Sequence, residues 1–289
     1  MLLLVWSSHC DDVVRRDSFG MPLFGAARHF ALVVGVLSAP GNADERQACR
    51  ATWFRLAPTG DNVLFMFAIG SSGDDAIDAR VRAEQQQHGD VLLLPLRESY
   101  RRLVFKTAAL YDYVAQRRDV SFDFLLKTDD DSFVRLDRLL PLLRGVREPA
   151  IYWGSHNTNV KRQSSPAHKW ADPLWREDVY PPYALGSAYA LSSDLVQKLA
   201  SLSIDNRPMF PVEDVATGIW LRNVVGEAQL RRVHADSKQF PLIVTGSTVG
   251  VCEREMIVRR HCDDVALMHR LYSNVRKCDG DACCGMAQM

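Results

Sequence analysis

Short apolar runs rich in branched residues alternate with longer segments of helical periodicity through the first half of this chain. The first run, Phe30 to Ser38, has strand length and precedes a helical pattern over Asp44 to Phe54. Further strands are expected at Val63 to Ile69, Val91 to Leu94 and Phe122 to Lys127, with helices near Asp75 to Gln87 and Tyr100 to Arg117 between them. Strands separated by helices predict a parallel sheet covered on both faces, the α/β class. Such sheets hold ligands beyond the carboxyl ends of their strands, which directs attention to the residues just after Leu126.

Beyond residue 150 the pattern loosens. A short strand at Ile151 to Gly154 leads into a polar loop reaching about Tyr180, then a strand over Ala184 to Leu191 and a helix ending near Leu202. Val212, Val215, Ala216, Ile219 and Asn223 recur at helical spacing, so Glu213 and Asp214 fall in a first helical turn. Pro141 interrupts the apolar pattern Leu136, Leu139, Leu140, Leu143, and predicts a kink or a later helix start.

The bulk numbers exclude more than they assign. With 47% hydrophobic and 24% charged residues the chain can bury a core, and its 35 basic residues balance 35 acidic ones, so no global field recruits nucleic acid or anionic membrane. No apolar run approaches the ~20 residues that cross a bilayer. Met1 to Trp6 is either the stub of a signal or anchor or a frayed end. Seven cysteines stand at 10, 49, 252, 262, 278, 283 and 284, five of them in the last 38 residues, a clustering that suits a disulfide-stapled tail in an oxidising lumen. These features divide the chain into a tail over 1–27, a domain over 28–245, with halves at about 28–131 and 150–245, and a Cys-rich extension over 246–289.

Within that frame the sharpest chemical signal is Phe122-Asp-Phe-Leu-Leu-Lys-Thr-Asp129-Asp130-Asp131-Ser-Phe-Val134, a strand that runs into three carboxylates. Their mutual repulsion is relieved by a divalent cation of the Mg²⁺ or Mn²⁺ kind, which also holds a diphosphate. The alternative is a helix cap, with Asp131 or Ser132 capping and the other aspartates in water. A calcium loop fits less well, because Val134 takes the place of the turn glycine and Leu140 that of the bidentate glutamate. Glu213 and Asp214 are explained equally by the helix dipole, which favours acids in a first turn, or by a general base kept ionised there. His234 ends a strand-like stretch from Leu230; Arg46, Arg50 and Lys106 lie on helices following strands, where phosphates are met but where solvated faces carry the same residues. Gly-x-Gly-x-x-Gly, Gly-x4-Gly-Lys-Ser/Thr, His-Glu-x-x-His and Gly-x-Ser-x-Gly are all absent, which removes the usual support for dinucleotide, P-loop, zincin and hydrolase chemistry.

Taken in order, Glu45-Arg-Gln-Ala-Cys-Arg50-Ala-Thr-Trp53, Phe67-Ala-Ile-Gly70, Glu84 with His88-Gly-Asp90, Tyr100 with Leu103 and Lys106, Lys127-Thr-Asp-Asp-Asp-Ser-Phe133, Tyr152-Trp-Gly154, Tyr180-Pro-Pro-Tyr-Ala-Leu-Gly186 and Glu213-Asp-Val215 resemble the β-1,3-glycosyltransferases of glycosyltransferase family 31. The resemblance covers roughly residues 30 to 245 and is closest to members that galactosylate the glycosaminoglycan linkage region. It implies a GT-A fold, bound Mn²⁺ with Asp131 as carboxylate ligand, Asp129 or Asp130 assisting at the metal or ribose, and His234 as second ligand. It further implies Asp214 as catalytic base with Glu213 orienting beside it, a UDP-sugar donor, UDP-galactose first, and a glycan acceptor such as a proteoglycan linkage-region saccharide. Sister enzymes transferring N-acetylglucosamine or N-acetylgalactosamine share these motifs, and a non-catalytic carbohydrate-binding relative would be marked by loss of Asp131, Asp214 or His234. Members are type II Golgi membrane proteins, so the Golgi lumen is the expected compartment. Two departures stand out: Arg102-Leu-Val104 replaces an Asn-Leu-Thr, and Gly186-Ser-Ala-Tyr189 replaces a glycine run beside the sugar pocket.

Overall fold

A computed structural model describes residues 15–146, 148–163, 165, 168, 170–202, 207–241, 253–262 and 264–286. The N-terminal Met1 to Trp6 stretch, Cys10 and Cys252 lie outside these residues. The central strand β1 (Arg28–Leu37) pairs in parallel with β2 (Val63–Ser71) on one side and β4 (Val120–Asp129) on the other. It is buried without a break from Leu32 to Leu37, because helices cover both faces, and a strand buried on both sides reads as an unbroken apolar run rather than an alternation. Beyond β2 lies β3 (Val91–Arg97), also parallel. Past β4 come β7 (Tyr183–Ser192), then β6 (Ile151–Asn157) and β8 (Arg231–His234), giving the order β3-β2-β1-β4-β7-β6-β8. Only β7 runs against the rest, antiparallel to both β4 and β6, while β6 and β8 are parallel. This is the mostly parallel, helix-flanked sheet of the GT-A expectation.

The two faces carry separate cores. On one, α3 (Leu103–Gln116), α5 (Ser193–Ala200) and α6 (Glu213–Val225) bury Leu110, Tyr111, Leu195 and Trp220. Gly35 lets α3 come close: a Cβ there would stand 2.4 Å from a Leu110 methyl. On the other face, α1 (Ala43–Ala51), α2 (Asp75–His88), α4 (Leu136–Arg144) and α7 (Val265–Lys277) contribute Ala48, Val81, Leu139 and Met268. Local chemistry sets the ends of α2: the Asp74 side chain accepts the amides of Ala76 and Ile77, and Gly89 closes the helix at φ 71°. Against the expectation of a later start, α4 begins at Leu136 and keeps Pro141 inside. Burial of Leu136, Leu139, Leu140 and Leu143 offsets the ~3 kcal/mol that an interior proline costs.

The Cys-rich stretch set apart by composition belongs to the second core. A short pair joins β5 (Phe133–Val134) to β9 (Val258–Arg259), the Arg135 amide donates to the Ile257 carbonyl at 2.7 Å, and Met256, Ile257, Met268, Leu271 and Cys283 are buried with Trp53 and Leu139. Cys278 and Cys284 are joined as a disulfide, the stapling expected of the tail.

Candidate active site

The strands β1 and β4 end level with each other, Leu37 opposite Asp129, and the acidic run follows directly. Its three carboxylates go three ways. Asp129 Oδ1 accepts from Lys127 Nζ at 2.9 Å. Asp130 is buried and accepts from Asn42 Nδ2 at 3.0 Å, facing the start of α1; burial pushes its carboxyl up against the pull of Ser38 and Asn42. Asp131 is partly exposed, with Oδ2 lying 3.4 Å from His261 Nδ1. The cap alternative fails, since the cap position of α4 is Arg135 and no side chain caps it.

Lys127 organises what surrounds the run. Its Nζ donates to Asp129 Oδ1, to the Gly186 carbonyl at 2.5 Å and to Glu213 Oε2 at 3.0 Å, and only 2% of the side chain is exposed. Burial opposes the charge, yet Asp129 and Glu213 more than offset it and hold the ammonium above the ordinary lysine range. The other oxygen of Glu213 accepts from Tyr189 Oη at 2.7 Å, and Tyr189 meets Tyr111 Oη at 2.6 Å. Both Glu213 oxygens are therefore held by protein donors. Held in this way, Glu213 positions Lys127 and the head of α6.

Asp214, one step along the helix, points elsewhere. Its Oδ2 accepts from the Gly186 amide at 3.0 Å and its Oδ1 from the Val215 amide at 2.9 Å. Gly186 permits the approach, because a Cβ there would lie 3.2 Å from Glu213 Oε2 and 3.4 Å from Asp214 Cβ. Burial first, then the charge of Glu213, raises the Asp214 pKa to about 7, against Lys127 and the two amides. The helix dipole favours a carboxylate here at neutral pH; burial outweighs it. Asp129 rises to about 6, again through lost hydration first, with Lys127 opposing and Asp131 and Glu213 adding, although 38% of its side chain meets solvent.

Four expected residues are not brought to this centre as open ligands. Arg50 pairs with Asp90 at 2.7 Å and Glu84 at 2.8 Å, lining a groove of about 500 Å³ between α1 and α2, so its guanidinium is spent inside the fold. Arg46, fully buried, likewise grips Glu84 and the Ala39 carbonyl. Lys106 does lie behind Asp130, but its Nζ donates to the Ser38 carbonyl at 2.8 Å and to Glu98 at 2.6 Å and is 2% exposed, closed to a phosphate. His234 stands level with Lys127 through the pairs Lys127–Tyr189, Tyr189–Gly154 and Gly154–His234. Three strand spacings separate their backbones by about 14 Å. The Nδ1 of His234 accepts the His156 amide at 3.1 Å, and among the described residues no group of three or more acidic, histidine or cysteine side chains closes into a metal cluster.

His261 takes the place facing Asp131. It follows β9, which pairs with the strand directly after the acidic run, and the next amide, Cys262 N, donates to the Asp131 carbonyl at 2.6 Å. Its backbone is left-handed at φ 53°, a conformation that a histidine adopts only where surrounding contacts hold it. Sequence reading passed over it, because the sole local signal is a histidine shortly after the apolar Met256-Ile-Val258.

Relatives of known sequence share these segments. The family model described as galactosyltransferase matches residues 44–229. Beta-1,3-galactosyltransferase 6 of Mus musculus is 43% identical over 214 residues, 69% of this chain and 63% of that protein. Beta-1,3-galactosyltransferase GALT1 of Arabidopsis thaliana is 31% identical over 74% of this chain and 34% of its own length, and beta-1,3-galactosyltransferase 5 of Pan paniscus is 29% identical over 80% and 75%. This chain thus spans less than two thirds of the mouse relative and about a third of the plant one. A solved galactosyltransferase, LgtC with donor and acceptor sugar analogs, aligns over 72% of this chain and 74% of its own at 15% identity and a TM-score of 0.44. On the family match and the mouse relative, the chain belongs to the galactosyltransferase family, the β-1,3-galactosyltransferases of glycosyltransferase family 31.

Proposed function

We propose that this chain transfers galactose from UDP-galactose to a hydroxyl of a glycan acceptor with inversion, forming a β-1,3 linkage. The observation that carries the reading is Asp214: a partly exposed carboxyl at the head of α6, fixed by two backbone amides and beside the acidic end of β4, with its pKa at about 7. A base poised near the working pH combines a useful ionised fraction with a real appetite for a proton. Asp214 takes the proton of the acceptor hydroxyl as that oxygen attacks the anomeric carbon on the face opposite the diphosphate. One displacement converts an α-linked donor into a β product.

Asp131 and His261 pair a hard oxygen with an imidazole nitrogen, a donor set that fits Mn²⁺. Bound there, Mn²⁺ would supply positive charge for the departing diphosphate. Lys127, locked by Glu213 and Tyr189, keeps Asp129 ionised in its turn. The loop between β6 and β7 shapes the acceptor side, where Trp170 Nε1 donates to Tyr100 Oη at 3.1 Å and both rings are about half exposed. The Golgi lumen is the compartment of this reading, supported by the Cys278–Cys284 bridge. No helix among the described residues is long and apolar enough to cross a membrane.

The test is UDP release by the purified chain with a panel of UDP-sugars, Mn²⁺ or EDTA, and β-galactosyl-xyloside or N-acetylglucosaminide acceptors. Manganese-dependent turnover of UDP-galactose that vanishes in Asp214→Asn supports the assignment. Preference for another UDP-sugar reassigns the donor, and a folded chain that binds UDP and Mn²⁺ yet turns over none of the panel refutes it.

A further inference from the structure

Between the acidic run and Asp214 lies a stretch of β7 that the sheet itself does not hold. The β4–β7 ladder ends at the pair Thr128–Ala188, and along β6 the pairing jumps from Gly154–Tyr189 to His156–Ala184. Residues 185–188 of β7 therefore stand against Ser155 alone, and the strand bulges there. Among the described residues, Gly186 and Ser187 occupy no paired position on either side. Carbonyls left outside a ladder must find other donors. Here the side chains flanking the three aspartates supply them: Lys127 Nζ donates to the Gly186 carbonyl at 2.5 Å, Thr128 Oγ1 to the Ser187 carbonyl at 2.7 Å, and Ser132 Oγ to that same oxygen at 3.2 Å. All three side chains are buried. Lys127 and Thr128 are consecutive on β4, so they leave opposite faces of the sheet and grip neighbouring carbonyls from both sides.

The same segment holds Asp214. Its Val215 amide contact lies within α6 and moves with that helix, whereas the Gly186 amide, at 3.0 Å from Oδ2, ties the carboxylate to the sheet. The amide and the carbonyl of Gly186 flank one Cα, so a displaced bulge displaces the amide. We propose that Thr128 is a positioning residue for the base: with Lys127 and Ser132 it clamps the bulge of β7 to the acidic run, and through the Gly186 amide it sets where Asp214 stands relative to Asp129 and Asp131. This role rests on Asp214 being the base. Lys127 also holds Asp129 and Glu213, and Ser132 Oγ lies 3.4 Å from Asp131 Oδ1, so changing either disturbs more than the clamp. The Thr128 hydroxyl donates to the Ser187 carbonyl, which makes its position the one to probe. A base shifted from the acceptor hydroxyl slows proton removal without weakening the hold on the donor.

The experiment compares Thr128→Val, which keeps the branched side chain and removes the hydroxyl, with Thr128→Ser, which keeps the hydroxyl and loses the methyl. UDP release is measured with Mn²⁺ and the donor and acceptor that the parent prefers. Thr128→Val is expected to lower kcat about tenfold with the donor KM within about twofold, and Thr128→Ser to stay within about threefold of the parental kcat. A purely structural Thr128 predicts equal losses or the reverse ranking, because the serine variant is the one that leaves a cavity. Either of those results, or a parental kcat in Thr128→Val, overturns the proposal. The clamp also has a readout that needs no turnover, hydrogen exchange by mass spectrometry over residues 184–189. Exchange there should be several-fold faster in Thr128→Val and parental in Thr128→Ser; unchanged exchange in Thr128→Val removes the clamp. A parent that turns over no UDP-sugar refutes the reading of Asp214 as base and the positioning role with it, while the exchange rates still decide whether Thr128 holds the bulge.

Discussion

Replacing Asp214 by asparagine should abolish transfer and at the same time stabilise the fold. The Asp214 carboxyl has an ordinary pKa of 3.8 and stands at about 7 in the folded chain, because burial and Glu213 disfavour its charge. A tenfold change in an ionisation equilibrium is worth about 1.36 kcal/mol, so ionised Asp214 costs the native state on the order of 4 kcal/mol relative to the unfolded chain. Between those pH values the folded state holds a proton that the unfolded state has lost. This contribution to stability therefore falls as pH rises from about 4 to about 7, and the full cost is carried above that. Asparagine carries no charge at any pH, and its Oδ1 can still accept the Gly186 amide that Asp214 accepts at 3.0 Å, giving up the Val215 amide that the second carboxylate oxygen accepts at 2.9 Å, a smaller loss than the charge cost removed. At pH 8 the variant should melt higher, by on the order of 5–10 °C for a chain of this size, and the difference should shrink toward zero near pH 4. The assay is thermal unfolding of both proteins across pH 4–8.5 by circular dichroism, reading the difference at each pH so that other acid-sensitive ion pairs cancel. A variant less stable than the parent, or a gap that does not change with pH, would show that Asp214 bears no such electrostatic cost and would undercut its role as a tuned base.

The same tuning predicts that kcat/KM rises with pH through about 7 and then levels, read from initial rates in constant ionic strength. His261→Ala should weaken Mn²⁺ binding at least tenfold while His234→Ala leaves it within about twofold, measured by calorimetry on the chain without UDP; the reverse ranking would restore His234 as the ligand. Arg50→Met strands Asp90, while Glu84 keeps Arg46, and should cost on the order of 2–4 kcal/mol in urea unfolding without changing UDP affinity, and a selective loss of UDP binding in a stable variant would return Arg50 to the donor site. Gly218→Ala places a Cβ 2.7 Å from Tyr183 Cβ and 3.0 Å from the Pro182 carbonyl, so it should push α6 off β7 at a cost of about 1–3 kcal/mol, seen as a lowered melting temperature.

Much of the architecture was legible along the chain. The order of strands and helices from Phe30 to Lys127 follows from periodicity, because strand and helix formation is governed by neighbours within a few residues. The same locality exposed the acidic run at the end of a strand and placed Glu213 and Asp214 in a first helical turn. It could not separate those two. Adjacent residues on a helix point about 100° apart, so which one enters the Lys127–Tyr189 cluster and which one stays open depends on how α6 lies against β7. It could not tell a phosphate-binding cation from a buried one either: Arg50 and Lys106 are committed by Asp90, Glu84 and Glu98, partners that arrive from other elements. The metal face shows the limit most plainly. His234 ends a recognisable strand, yet strand order puts it three places from β4, while His261, with little local signal, is delivered to Asp131 by the pairing of β5 with β9 across more than a hundred residues. Local sequence determines which elements form and what chemistry each carries. Only the tertiary structure decides which of those groups meet, because that choice is made by strand order and packing between segments remote in the chain.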